Sequence, residues 1–273
     1  MASPDDVFTP PDTDTRAPTL GLGVVAGLGL IRRAPGMLLV LAALDWAGTK
    51  LPIEIATALV DAGIGGETLP PLLPAVELGG AMVFGVPTLA LLVAALVELR
   101  RGDSPTTASV LAAAMRPACL AVCGLWLVAV TLGLSLCILP GILLGAAFAF
   151  TPVVAAGGGG LGESFTRGTS LVSNGGAFGR LLILHTLCIG GLLGAGMLGE
   201  LPDVVAMVQA AVELGIDPTD PAALEGHHAP RWVSLAGQLL LAPVVGGIYL
   251  VQLAATVVLA FEAAGQDDLL LTA

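Results

Sequence analysis

The chain has 273 residues, of which 56% are hydrophobic and only 11% charged, and its mean hydropathy is +0.94. That composition excludes a soluble domain, which needs a charged surface to stay in water. The formal charge of −11 and the lack of any basic stripe exclude nucleic acid as a partner.

Residues 1–19 are rich in Pro and Asp (Asp5, Asp6, Asp12, Asp14). They lack the basic start and short apolar core of a signal peptide, so a disordered acidic tail is expected. From residue 20 to 262 the sequence reads as one transmembrane domain, followed by a short tail over 263–273. Apolar runs close to the roughly 20 residues that cross a bilayer predict about six helices. They lie near 36–60, 75–98, 117–138, 141–156, 179–200 and 233–261. The runs are rich in Leu, Ala and Gly and show no sustained alternation, which argues against a barrel. The expected fold class is therefore an all-α, polytopic membrane bundle, in which helices satisfy their own backbone groups in lipid.

The first span is interrupted by Asp45, Lys50, Pro52 and Glu54. Lys50 and Glu54 are four apart and can pair on one helical face. Two readings stand: either the helix ends early and these charges sit at the outer interface beside Trp46, or Asp45, Lys50 and Glu54 line an intramembrane polar pathway. Glu77, Glu98 and Glu262 fall near span ends, where interface placement accounts for them. Between spans three and four, Leu139-Pro140-Gly141 predicts a tight turn.

Shorter amphipathic pieces lie between the spans. Ser104 followed by Pro105 is read as a helix start, and the following helix is expected to present Val110, Leu111, Ala114 and Met115 to lipid. Over 161–174, Glu163, Arg167, Ser170 and Asn174 form one stripe, with Leu161, Phe165 and Val172 on the other side. Both pieces are expected to lie in the cytoplasmic interface. A third, Pro202 to Leu214, sets Asp203, Ala206, Ala210 and Glu213 opposite Val204, Val205, Val208 and Val212, and should lie flat or pack over the bundle. Small-residue stripes (Gly141, Gly145, Ala149 and Gly191, Ala195, Gly199) predict close helix packing within the chain, with dimerisation as the alternative.

Basic residues set the expected orientation. Arg16, Arg32, Arg33, Arg100, Arg101, Arg116, Arg167 and Arg180 fall on one side of a six-span arrangement, with Lys50 and Arg231 on or near the other. Cytoplasmic loops collect Lys and Arg, so both termini should face the cytoplasm of a plasma membrane protein.

No catalytic, cofactor or metal constellation is expected. Cys119, Cys123, Cys137 and Cys188 lie in apolar runs and read as buried thiols. His185 reads as a histidine hydrogen-bonded inside the bundle rather than a proton relay. His227 and His228 stand in an acidic loop at a spacing that matches no zinc pattern. The glycines from Gly21 fit a dinucleotide pattern but follow a Pro-rich tail instead of a strand. Gly162-Glu163-Ser164 lacks the second glycine of a nucleophile elbow, because Thr166 holds that place.

From Leu139 to Leu184 the sequence resembles the membrane domain of glycerophosphoryl diester phosphodiesterases and related membrane families. Leu139-Pro140-Gly141, Phe148 to Pro152, Glu163, Arg167, Ser170 to Ser173, and Gly175 with Phe178 carry the likeness, and Arg32-Arg33-Ala34-Pro35-Gly36 is similar to the group's basic first-span start. In those phosphodiesterases the hydrolase is a separate soluble domain, so the resemblance implies a fold and no activity. The expected protein is a non-enzymatic membrane component that organises or assists something else. Membrane lipids are its expected partners, with a membrane protein or a second copy as further candidates. The alternative is a transporter of a small or lipid-like substrate.

Overall fold

The computed structural model describes residues 20–61, 63, 70–173, 176–199, 201–215 and 231–265, which form helices and short connections and no strand. In chain order the α-helices are α1 (Leu20–Arg33), α2 (Pro35–Asp61), α3 (Leu73–Gly80), α4 (Val86–Arg101), α5 (Thr107–Ala114), α6 (Pro117–Leu136), α7 (Ile138–Ala147), α8 (Thr151–Ala156), α9 (Leu161–Ser173), α10 (Ala177–Gly199), α11 (Leu201–Leu214) and α12 (Arg231–Ala264). Five segments are long and apolar enough to cross a membrane: Leu78–Arg101, Pro117–Leu136, Ile138–Ala156, Ala177–Gly199 and Ala236–Ala264. A sixth forms if α1 and the first part of α2, bent by 99° at Ala34, count as one broken span. The chain is thus a polytopic all-α membrane bundle.

Two helices make its centre. Nearly every residue of α4 from Thr88 to Leu99, and of α12 from Leu250 to Phe261, is buried. The outer helices α6 and α10 keep one side inward and turn Leu125, Leu132, Ile183, Leu187 and Met197 outward. Apolar surface on that scale is ordinary where the solvent is lipid and anomalous in water. Small residues set how closely the helices pack. A Cβ on Gly133 would lie 2.7 Å from the Cα of Gly141, so α6 and α7 meet backbone to backbone. Gly191 and Gly199 face side chains of α12, which places the second stripe inside the chain as well.

Several local expectations change. The break between spans three and four is at Cys137, whose extended backbone caps α6 and opens α7. Leu139-Pro140-Gly141 lies within the first turn of α7, where proline is tolerated, and Gly141 serves the close approach to Gly133 rather than a turn. Helix α5 starts two residues after Pro105, with Thr106 as its cap: Thr106 accepts from the Ser109 amide and Ser109 reciprocates, a capping box in place of a Ser104 cap. Its Val110 and Ala114 are buried in the bundle, leaving Leu111 and Met115 outward.

Helix α9 is likewise strapped down. Phe165 packs edge-on against Phe148, and a Cβ on Gly168 would lie 2.9 Å from the Thr151 backbone, so the helix is seated closely and Ser164, Leu171 and Val172 are buried. Of its apolar face, Phe165 and Val172 are thus packed against protein, while Leu161 stays exposed. On helix α11, Ala211 packs inward while Val204, Val205, Val208 and Val212 stay exposed. The segment over 20–33 forms α1, in which Gly23 and Gly27 share a face and fit against Leu259 and Ala255.

Cys119, Cys123 and Cys188 are buried as expected, but Cys137 is exposed at the hairpin tip, since a two-helix corner leaves its apex uncovered. In the folded protein a membrane-impermeant maleimide should therefore label Cys137 and spare the other three. Labelling from the outer side alone tests the expected orientation, and equal labelling in the Cys137→Ser variant would show that the buried set is open.

Candidate functional site

Three arrangements of polar groups stand out in this apolar bundle. The first is at one end, where α1, α4, α8 and α12 finish and α6 and α10 begin. Each finishing helix leaves carbonyl oxygens without amide partners. Arginines supply them: Arg33 Nη1 donates to the Leu99 carbonyl oxygen at 3.1 Å and Arg101 Nη2 to that of Gly157 at 3.0 Å. Arg116 bridges the Ala113 and Ala156 carbonyl oxygens. Guanidinium at a helix C-terminus is also favoured by the helix dipole. Arg100 lies over the Phe261 ring, 5.9 Å from its centroid, and Glu262 sits in the field of Arg100 and Arg180. Arg32 is exposed at the same end. The result is a rim of arginines held in fixed positions.

On α9, beside this rim, Arg167 Nη1 approaches Glu163 Oε1 at 4.0 Å. Glu163 also accepts from the Gly160 amide, and Ser170 is exposed on the same outward side. Asn174, the fourth member of the predicted stripe, lies outside the described residues.

The second arrangement is around Asp45. The Thr88 hydroxyl sits between Asp45 Oδ1 and the Phe84 carbonyl oxygen, which it approaches at 2.7 Å. Asp45 is half-buried and has a further interaction besides this one. Thr88 stands about 15 Å along the helix from Leu78, at 1.5 Å per residue, which places it near the middle of the span Leu78–Arg101. The backbone just before it is a π turn, Ala81–Gly85, a distortion that recurs where helices carry function. Asp45 does not share a face with Glu54. At about 100° per residue, the two carboxyl groups are turned about half a revolution apart on α2. Glu54 is half-buried, and the side chain of Lys50 lies outside the described residues. Helix α2 therefore does not set the three predicted residues along one line.

The third arrangement was not legible as a site. His185 of α10 is 2% exposed, and its Nδ1 is 2.9 Å from the Leu181 carbonyl oxygen. It lines a small internal cavity with Trp126 of α6 and with Gln252 and Thr256 of α12. Gly145 makes room for the ring, because a Cβ there would meet His185 Cδ2 at 2.9 Å. Tyr249, one turn before Gln252, lies within electrostatic reach of Asp45. The available signal was the spacing of Tyr249, Gln252 and Thr256, three and then four residues apart, polar positions on one face of a span.

A groove of about 430 Å³ also opens between α2 and α12, lined by Leu39, Ala42, Ala43, Ala47, Leu239, Ala242, Pro243 and Gly246. Among the described residues no three of His, Cys, Asp and Glu come together to hold a metal ion, and His227 and His228 lie outside them. No family model, curated protein or solved structure matches the chain.

Proposed function

We propose that this is a non-enzymatic component of the plasma membrane that assists a partner membrane protein through its arginine-bearing end. The observation that carries the reading is the rim itself. Arginines tied to helix-end carbonyls have already lost their side-chain freedom, so an acidic segment of a partner meets fixed charges at little further entropic cost. The groove between α2 and α12 supports the same reading, since its Ala and Gly residues allow a partner helix to approach closely in lipid. On this reading the rim and both termini face the cytoplasm, as the arginine distribution favours. The resemblance to the membrane domain of glycerophosphoryl diester phosphodiesterases fits a bundle of this kind without adding an activity.

Native mass spectrometry of the protein released from its own membrane in lipid nanodiscs tests the proposal. A stoichiometric protein partner is expected, and the Arg32→Glu/Arg167→Glu double variant should lower its occupancy about tenfold, equivalent to about 1.4 kcal/mol. Arg32 is exposed and Arg167 is half-buried beside Glu163, so an unchanged melting temperature of the double variant is the control that the fold is kept. A chain that carries one enriched lipid or small molecule, and no protein, would overturn the reading. That result would favour the second one, transport of a small or lipid-like substrate, for which Asp45 at mid-span is the supporting observation.

A further inference from the structure

The cavity beside His185 has a volume of about 10 Å³ and is lined by residues of α4, α6, α8, α10 and α12. That is close to the roughly 10–15 Å³ that one water needs, and a buried water also needs two to four polar partners. An apolar cavity of this size would stay empty, so the lining decides the matter.

Three groups in the lining can serve. The Leu181 carbonyl oxygen can only accept, so the hydrogen of the neutral His185 ring is on Nδ1 and the lone pair is on Nε2. Nε2 is then an acceptor with no partner among the described residues. Gln252 is 6% exposed, and its side-chain amide makes no hydrogen bond among the described residues, although it can donate twice and accept. Thr256 Oγ1 donates to the Gln252 carbonyl oxygen at 2.8 Å and keeps its acceptor capacity. A buried amide and a buried imidazole nitrogen left without partners keep their desolvation penalty and gain nothing for it. One molecule that both donates and accepts removes that penalty for all of them.

We infer that His185 Nε2, the Gln252 side-chain amide and Thr256 Oγ1 bind a single water molecule that bridges α10 to α12 in the membrane interior. The water donates to Nε2, and its remaining hydrogen and lone pairs satisfy the amide and the hydroxyl. The ring is presented to it from two sides: Leu181 fixes which nitrogen faces the cavity, and Gly145 leaves the space the ring occupies. The bridge gives the interface of two apolar helices a single polar register mark. The inference is independent of which partner or substrate the protein serves.

Solid-state NMR of the full chain in nanodiscs, with 15N-labelled histidine and His227→Asn and His228→Asn to leave one histidine signal, reads the site directly. The Nδ1–H resonance of the neutral ring reports that the Leu181 contact is formed. With that resonance present, magnetisation transfer from water to the ring at Nε2 and a hydrogen-bonded Nε2 shift are expected. The Gln252→Leu variant should lose the transfer and move Nε2 to the shift of a nitrogen without a partner. A ring with Nδ1–H intact and no transfer in the otherwise native chain overturns the inference, as does a ring protonated on Nε2. Should Gln252→Leu fail to fold, Thr256→Val supplies the second arm: weakened transfer there supports the inference, and unchanged transfer overturns it.

Discussion

Replacing Gly27 with leucine is expected to detach α1 from the bundle and lower stability by about 3 kcal/mol. The reason is the nature of the neighbour. A Cβ at position 27 would lie 2.8 Å from the Ala255 amide nitrogen and 3.1 Å from the Ala254 carbonyl carbon, and both are backbone atoms of the most buried stretch of α12. Side chains can yield to an added methyl group, whereas the backbone of a central helix cannot, so the cost falls at or above the upper end of the roughly 1–3 kcal/mol seen for overpacking. Gly23, on the same face of α1, is the control. Its Cβ would meet the Leu259 side chain at 3.3 Å, a flexible neighbour, so Gly23→Ala should be nearly neutral. Thermal unfolding in nanodiscs, with limited proteolysis of residues 20–33, checks both. Equal behaviour of the two variants would mean that α1 is not seated against α12 through Gly27.

The same contrast explains what could be read from the sequence. Spans are legible because each is a local property: twenty apolar residues in a row describe α6 or α10 without reference to any other helix. The break at Cys137 was misplaced by a few residues because Pro140 and Gly141 are compatible both with a turn and with the first turn of a helix. Only Gly133, packed so closely that a Cβ on it would lie 2.7 Å from the Gly141 Cα, decides between them. For α9 the amphipathic pattern was correct and the neighbour was not. Periodicity states that a face is apolar, but whether lipid or Phe148 covers it depends on where α7 and α8 arrive. The arginines were legible as a group by their distribution, yet their attachment to the carbonyl oxygens of Leu99, Ala156 and Gly157 joins residues as much as 66 positions apart. The polar positions of α12 needed two helices at once, since Gln252 becomes a site only when His185 is opposite.

Asp45 poses the same problem with an energetic answer. Carboxyl groups at mid-bilayer cost about 2.5–3.5 kcal/mol on insertion scales, and a hydrogen bond to a charged group returns about 1.5–3 kcal/mol. Thr88→Val keeps the shape of the side chain and removes its hydroxyl, so it should cost about 2 kcal/mol. Asp45 has a further interaction, which makes either single variant an impure measure of this contact. The double-mutant cycle isolates it. If Thr88 and Asp45 meet in the membrane interior, Asp45→Val/Thr88→Val should be less destabilised than the sum of the single variants by at least about 1 kcal/mol. The coupling should also be insensitive to salt, because ions screen exposed charges and do not enter hydrocarbon. Unfolding of the four proteins in nanodiscs at two ionic strengths gives both numbers. Additivity within about 0.5 kcal/mol, or a coupling that falls as salt rises, would place Asp45 in water at the interface, and the case for a substrate path at mid-span would go with it.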